Sequence, residues 1–227
     1  MMRATCLVLA VLMGCTADLI AQTKVDIGHV VELHVTDKLN VVLVPSDENS
    51  VLVDGDLKDK VEVTQQDGKL RIKMASGYPL KGANTFVRVH SPSIYSFTVQ
   101  KGAVVQTEEG SIEQDSILVW ANEGGKLDLA VNVKRVEVNS TTGSSVTLRG
   151  DTESQNIILT FGGNYYAEKL NSKKAFARTN GGGVCDVRAS VSADVQTRAG
   201  GYINVYGNPT ERKQKRLAGG KITFMTK

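Results

Sequence analysis

Six glycines, Gly124, Gly143, Gly162, Gly181, Gly200 and Gly219, stand in one arithmetic series with a step of nineteen residues. Five are followed by a second glycine (Gly125, Gly163, Gly182, Gly201 and Gly220), and Ser144 fills the remaining place. A turn that recurs with a fixed period is the signature of stacked coils. Glycine suits such a turn for two reasons: the backbone needs positive φ there, or successive layers leave no room for a Cβ.

The residues around the series supply the core. Three places after each glycine come Leu127, Val146, Tyr165, Val184, Ile203 and Ile222. Two places further stand Leu129, Leu148, Ala167, Asp186, Val205 and Phe224, apolar in all coils but one. Five places before each glycine lie Val119, Val138, Ile157, Phe176 and Val195, and the column fails only at Gln214. Apolar residues in constant phase predict side-chain ladders inside a continuous core, with two short strands flanking each turn and a less regular third segment. The expected fold is therefore an all-β, single-stranded β-helix or β-solenoid of six to seven coils. At about 4.8 Å per coil it makes a rod roughly 30 Å long.

Residues 22–96 lack the glycine series. They carry short runs of alternating apolar residues at 25–35, 39–44, 51–53, 60–64, 69–74 and 85–90, separated by turn-forming stretches such as Gln65-Gln66-Asp67-Gly68. This predicts an N-terminal antiparallel β region that caps the solenoid of residues 97–227, the two packing as one unit. The other end needs cover from the charged stretch 210–216 or from another subunit, since a bare strand edge invites aggregation.

The first 21 residues have the pattern of an export signal: Arg3, an apolar run over 4–14, then small residues. A cut after Ala21 is favoured over lipidation of Cys15, which follows Leu12-Met13-Gly14. No later stretch is long and apolar enough to span a bilayer as a helix. Cys185 is then the one cysteine of the mature region, which rules out an internal disulfide framework. The net charge of +3 gives no basis for a nucleic-acid partner, and much of it sits in Arg212, Lys213, Lys215 and Arg216, a solvated loop between coils or an anion-binding patch.

Alternating strands separated by Gly-Gly turns, ending in Ala199-Gly200-Gly201-Tyr202-Ile203-Asn204-Val205-Tyr206-Gly207-Asn208-Pro209, resemble the head GIN domain, a bacterial envelope family of auto-transporter adhesin type. The N-terminal part, with Leu39-Asn40-Val41-Val42-Leu43-Val44, Gly68-Lys69-Leu70-Arg71-Ile72-Lys73 and Phe86-Val87-Arg88-Val89, is similar too. The resemblance covers about 25–224 and implies an envelope location and a binding role. One departure is that the acid usual after the family's turn is replaced here by Lys126, Ser145, Asn164, Gly183, Tyr202 and Lys221.

No catalytic constellation emerges. Among Asp128, Asp151, Glu168 and Asp186, only Asp128 and Asp186 come close in repeat phase, and three coils hold them about 14 Å apart. Paired glycosidase carboxylates lie roughly 5 to 9.5 Å apart. His29, His34 and His90 have no companions at metal-ligand spacing, so neither a metal nor a cofactor is expected. Tyr166 and Tyr202 fall on outward phases and are candidate glycan contacts. The leading expectation is a non-enzymatic, exported solenoid, periplasmic or surface-associated, whose partner is a glycan or an envelope or host surface protein. The alternatives are a carbohydrate-active β-helix lyase or hydrolase, and a structural module that self-associates through its ends.

Overall fold

The computed structural model describes residues 23–225. The expected leader, 1–21, and Cys15 lie outside the described residues. Apart from two short 3-10 turns, Lys58–Lys60 and Gly82–Asn84, the regular structure is all β. From Ser96 onward every strand pairs parallel to its partner in the next coil.

Two long ladders form the centre of the core. One runs Leu70, Leu33, Phe97, Val119, Val138, Ile157, Ala177 and Val195; the other runs Val87, Val41, Val105, Leu127, Val146, Tyr165, Cys185 and Ile203. All of these side chains are buried. Full burial of a Val, Leu, Ile or Phe side chain contributes about 1.5–3 kcal/mol, so the stacked ladders are a large stabilising term, and among the described residues the one cysteine, Cys185, is free.

The ladders correct the sequence columns at three places. Partner residues are offset by nineteen from Lys126↔Ser145 to Thr141↔Thr160, by twenty at Gly150↔Leu170 and Tyr165↔Cys185, and by eighteen at Cys185↔Ile203. The extra residue enters between Tyr166, still in the nineteen-residue register, and Leu170. Ala177, Cys185 and Val187 therefore point inward in place of Phe176, Val184 and Asp186, and Phe176 is 38% exposed. Its ring is covered from outside by the Arg178 guanidinium at 3.7 Å. Twenty followed by eighteen restores the nineteen-residue mean, which is why the glycine series conceals the slip.

The turns after Asn122, Thr141 and Thr160 share one geometry that separates the two roles of glycine, whereas in the next three Gly183, Gly201 and Gly220 also have positive φ, at 96°, 95° and 89°. Phe161 and Gly162 have φ of 49° and 78°, and the Gly163 N–H closes the turn on the Thr160 carbonyl at 3.1 Å. Two consecutive left-handed residues define a type I′ turn. Gly162 is needed for its φ, because a Cβ there would meet open space. Gly163 is needed for room, because a Cβ would lie 2.1 Å from the Ser140 carbonyl oxygen of the coil below. The inserted residue moves Gly181 to the place of Phe161, so Gly182 and Gly183 take the places of Gly162 and Gly163. Ser144 alone carries a side chain in the second glycine column, and its hydroxyl lies 2.9 Å from the Ala121 carbonyl and 2.7 Å from that of Thr141.

At the N-terminal end, antiparallel pairing joins Thr23–Asp26 to Ser50–Gly55, Ser50–Gly55 to Thr85–Ser91, and Val61–Gln66 to Lys69–Met74. These pairs close the stack as anticipated. Glu32–Val35 and Asn40–Pro45 do more: they pair parallel on both sides and form a coil between Lys69–Met74 with Thr85–Ser91 and Ser96–Val99 with Val104–Thr107. The stack thus extends into the N-terminal region out of chain order. At the other end, the charged stretch is a strand, Glu211–Leu217, with every residue exposed, where a loop between coils is one sequence expectation.

Candidate functional site

The turn fixes which residues face outward. In the strands that follow it, residues alternate, so the column between the two apolar ones presents Asp128, Thr147, Tyr166, Asp186 and Asn204 at one strand spacing each. A shallow groove of about 450 Å³ runs along it, walled by Arg149, Glu168 and Lys169. Tyr166 sits in its middle, 38% exposed.

The charges in the groove are arranged around that ring. Asp128 is ion-paired to Arg149, whose Nη2 also donates to the Thr107 carbonyl at 3.4 Å. Asp186 accepts a hydrogen bond from Asn204 Nδ2 at 2.7 Å. Burial holds the Asp186 carboxyl above the usual carboxylate range, and the nearby Glu168 charge adds to this against the Asn204 bond. Arg188 Nε donates to the Glu168 carbonyl at 2.6 Å and fixes that wall. A flat ring flanked by fixed donors and acceptors offers a sugar an apolar face and hydroxyl partners together.

Tyr202 lies on the same outward face but not in this groove. It pairs with Val184 and Lys221, two coils and two residues away from Tyr166, which is about 12 Å in sheet dimensions. Its side chain is 57% exposed. Asp128 and Asp186 do share one column, at the three-coil separation anticipated. Asp151 belongs elsewhere, and Trp120 and Phe161 are exposed, Trp120 on the face before the turn and Phe161 in the turn itself. Among the described residues, no group of three or more His, Cys, Asp and Glu could hold a metal ion.

A second concavity was not anticipated from the sequence. A cleft of about 630 Å³ follows the third segment of the coils, lined by Asn132, Lys134, Asp151, Glu153, Asn171 and Lys173 among others. Asn132, Asp151 and Asn171 are register partners, and Asn171 Nδ2 donates to Asp151 Oδ1 at 3.1 Å. Glu153 pairs with Lys173 at 3.2 Å. Its sequence signal is a polar column eight, eight and nine places after Gly124, Gly143 and Gly162, outside the apolar columns.

The stacked parallel coils and the fully spanned core fit a known group of sequences. The family described as "Putative auto-transporter adhesin, head GIN domain" matches residues 31–209. This chain belongs to that family. Its fold recurs in a putative adhesin from Bacteroides fragilis, with a TM-score of 0.81 at 17% identity over 89% of this chain and 95% of that one. A putative lipid binding protein from Parabacteroides distasonis has a TM-score of 0.63 at 14% identity, over 90% and 96% of the two chains. A putative adhesin from Parabacteroides merdae has 0.62 at 12%, again over 90% and 96%. At these identities the likeness is one of fold, and no curated protein matches the chain.

Proposed function

We propose that this head GIN domain chain is an exported, non-enzymatic envelope protein that binds glycans on the face carrying Tyr166 and Tyr202. The observation that carries the reading is the half-exposed Tyr166 ring set in a groove between the Asp128–Arg149 pair and Asp186. The family's adhesin description and the adhesins of the same fold support a binding role. A rigid stack also favours it, because contacts fixed on strands lose little entropy when a ligand binds. Export rests on the charged and apolar pattern of residues 1–21, and mass spectrometry of the mature N-terminus distinguishes a cut after Ala21 from lipidation at Cys15.

The test is a glycan array probed with the wild type, Tyr166→Ala and Tyr202→Ala. Binding that Tyr166→Ala abolishes and Tyr202→Ala weakens is the expected result; a blank array removes the proposal. A carbohydrate-active enzyme is the second reading, favoured by the raised Asp186 acid beside Glu168. Turnover of acidic polysaccharides that disappears in Asp186→Asn would establish it over the first.

A further inference from the structure

We propose that Glu211–Leu217, one of the two strands of the terminal coil with Lys221–Phe224, is a docking edge for an extended acidic polypeptide segment, which adds to the stack as a further strand. Two features coincide on this strand and nowhere else in the described residues. It pairs only with Ser192–Arg198, so one edge of its backbone is open. It also concentrates Arg212, Lys213, Lys215 and Arg216 against the single acid Glu211.

The backbone register identifies the open groups. The Glu211 N–H donates to the Val191 carbonyl at 2.9 Å, and the Leu217 carbonyl accepts from the Ala199 N–H at 3.0 Å, both toward the neighbouring coil. In a parallel ladder successive residues face opposite neighbours, so Arg212, Gln214 and Arg216 direct their N–H and C=O groups away from the stack. An incoming strand finds a ready set of donors and acceptors there.

The side chains select what can pair. Arg212, Gln214 and Arg216 continue the inward columns above Ala193, Val195 and Thr197, while Lys213 and Lys215 continue the outward ones above Asp194 and Gln196. Cations thus flank the open edge on both faces. Elsewhere basic side chains are commonly matched across coils, as in Lys134–Asp115, Lys173–Glu153 and Arg178–Asp194. None of the four on Glu211–Leu217 has a carboxylate partner among the described residues. Arg212 is tied down, with Nε donating to the Pro209 carbonyl at 3.0 Å and its guanidinium 4.9 Å from the Phe224 ring centre. Lys213, Lys215 and Arg216 project freely from the strand.

Charge decides between occupants. A second copy docking through the same strand would bring the same four cations to the edge and is repelled, which protects the strand from pairing with itself. An acidic strand reverses that sign and still satisfies the backbone. An anionic polysaccharide could answer the charges on one face, but it has no use for a strand edge with cations on both sides.

The experiment measures binding of a synthetic Glu/Thr-rich peptide to the full chain at several salt concentrations. Three further arms use the same peptide N-methylated at alternate residues, polygalacturonate, and phosphatidylglycerol vesicles. The variant Lys213→Gln/Lys215→Gln/Arg216→Gln removes three exposed charges, leaves Arg212 on Phe224, and is checked for an unchanged melting profile. The expected result is salt-sensitive peptide binding that falls roughly tenfold in the variant, with the N-methylated peptide not bound. No peptide binding, equal binding of the N-methylated peptide, or equal or tighter binding of polygalacturonate or vesicles overturns the proposal. Because Tyr166 and Tyr202 are not involved, the outcome is independent of the glycan reading.

Discussion

Adjacent glycines of one turn should respond very differently to the same methyl group. In Gly162→Ala the new Cβ meets nothing within 4 Å, so the cost is that of a left-handed alanine at φ of 78°. That conformation costs about 1–2 kcal/mol, partly from the backbone and partly offset in the folded-state balance by a stiffer unfolded chain. The net loss should be about 1 kcal/mol. In Gly163→Ala the Cβ is placed 2.1 Å from the Ser140 carbonyl oxygen and 2.8 Å from the Thr141 nitrogen. Both are backbone atoms of the adjoining coil and cannot rotate away, so the layers must part by more than an ångström against their own hydrogen bonds. Overpacking in a tight core costs about 1–3 kcal/mol even where side chains can adjust, so the loss here should be about 3 kcal/mol or more. For a domain of this size 1 kcal/mol corresponds to about 2–4 °C in the melting midpoint. Paired urea titrations with a common slope, supported by melting curves, measure the difference. Equal losses for the two variants, or a larger loss for Gly162→Ala, would refute the division of roles. Gly163→Ser carries the same Cβ and should lose about as much as Gly163→Ala.

Other outcomes follow from buried polar groups. Tyr165 Oη donates to Gln155 Oε1 at 3.0 Å inside the core, while Gln155 Nε2 donates to the Ser172 hydroxyl at 2.9 Å and the Arg188 carbonyl at 2.8 Å. Tyr165→Phe leaves the Gln155 carbonyl without that donor and should lower stability by about 1–2 kcal/mol in the same titrations. Cys185 is fully buried, and burial pushes its thiol well above the ordinary range. It should stay unreactive toward a thiol reagent in the native protein and react fully in denaturant; rapid native labelling would contradict its inward register. Burial and the Arg71 charge hold His34 below its ordinary value. Its neutral form is favoured by folding, so its contribution is complete above about pH 6.5 and declines as pH falls from there through the lowered native value. His34→Gln should flatten that part of the stability profile, and an unchanged profile would count against the assignment.

Much of the architecture is legible in the sequence. The glycine series and its apolar flanks specify parallel coils, and the alternation around Leu127 and Leu129 correctly directs Asp128 outward. The same logic directs Tyr166 outward beside the buried Tyr165. The Tyr166 groove itself was only half legible, because Arg149 and Glu168 come from other coils or the following turn and share no motif with the ring. The cleft along Asn132, Asp151 and Asn171 was present as a polar column but carried no apolar signal to draw notice.

The sequence alone thus determined the class of fold, the mean coil length and the two places where glycine is required, because steric demands in a repeated turn recur at each repeat. Only the tertiary structure decided the register. A coil of twenty residues followed by one of eighteen keeps the glycines in step, yet hydrogen bonds between layers, not distance along the chain, select Ala177, Cys185 and Val187 for the core. The tertiary structure also decided that Glu32–Val35 and Asn40–Pro45 enter the stack out of chain order, since pairing between strands depends on edges that meet in space. Glu211–Leu217 shows the same division: its four cations are plain in the sequence, but their place on an open edge is a property of the assembled stack.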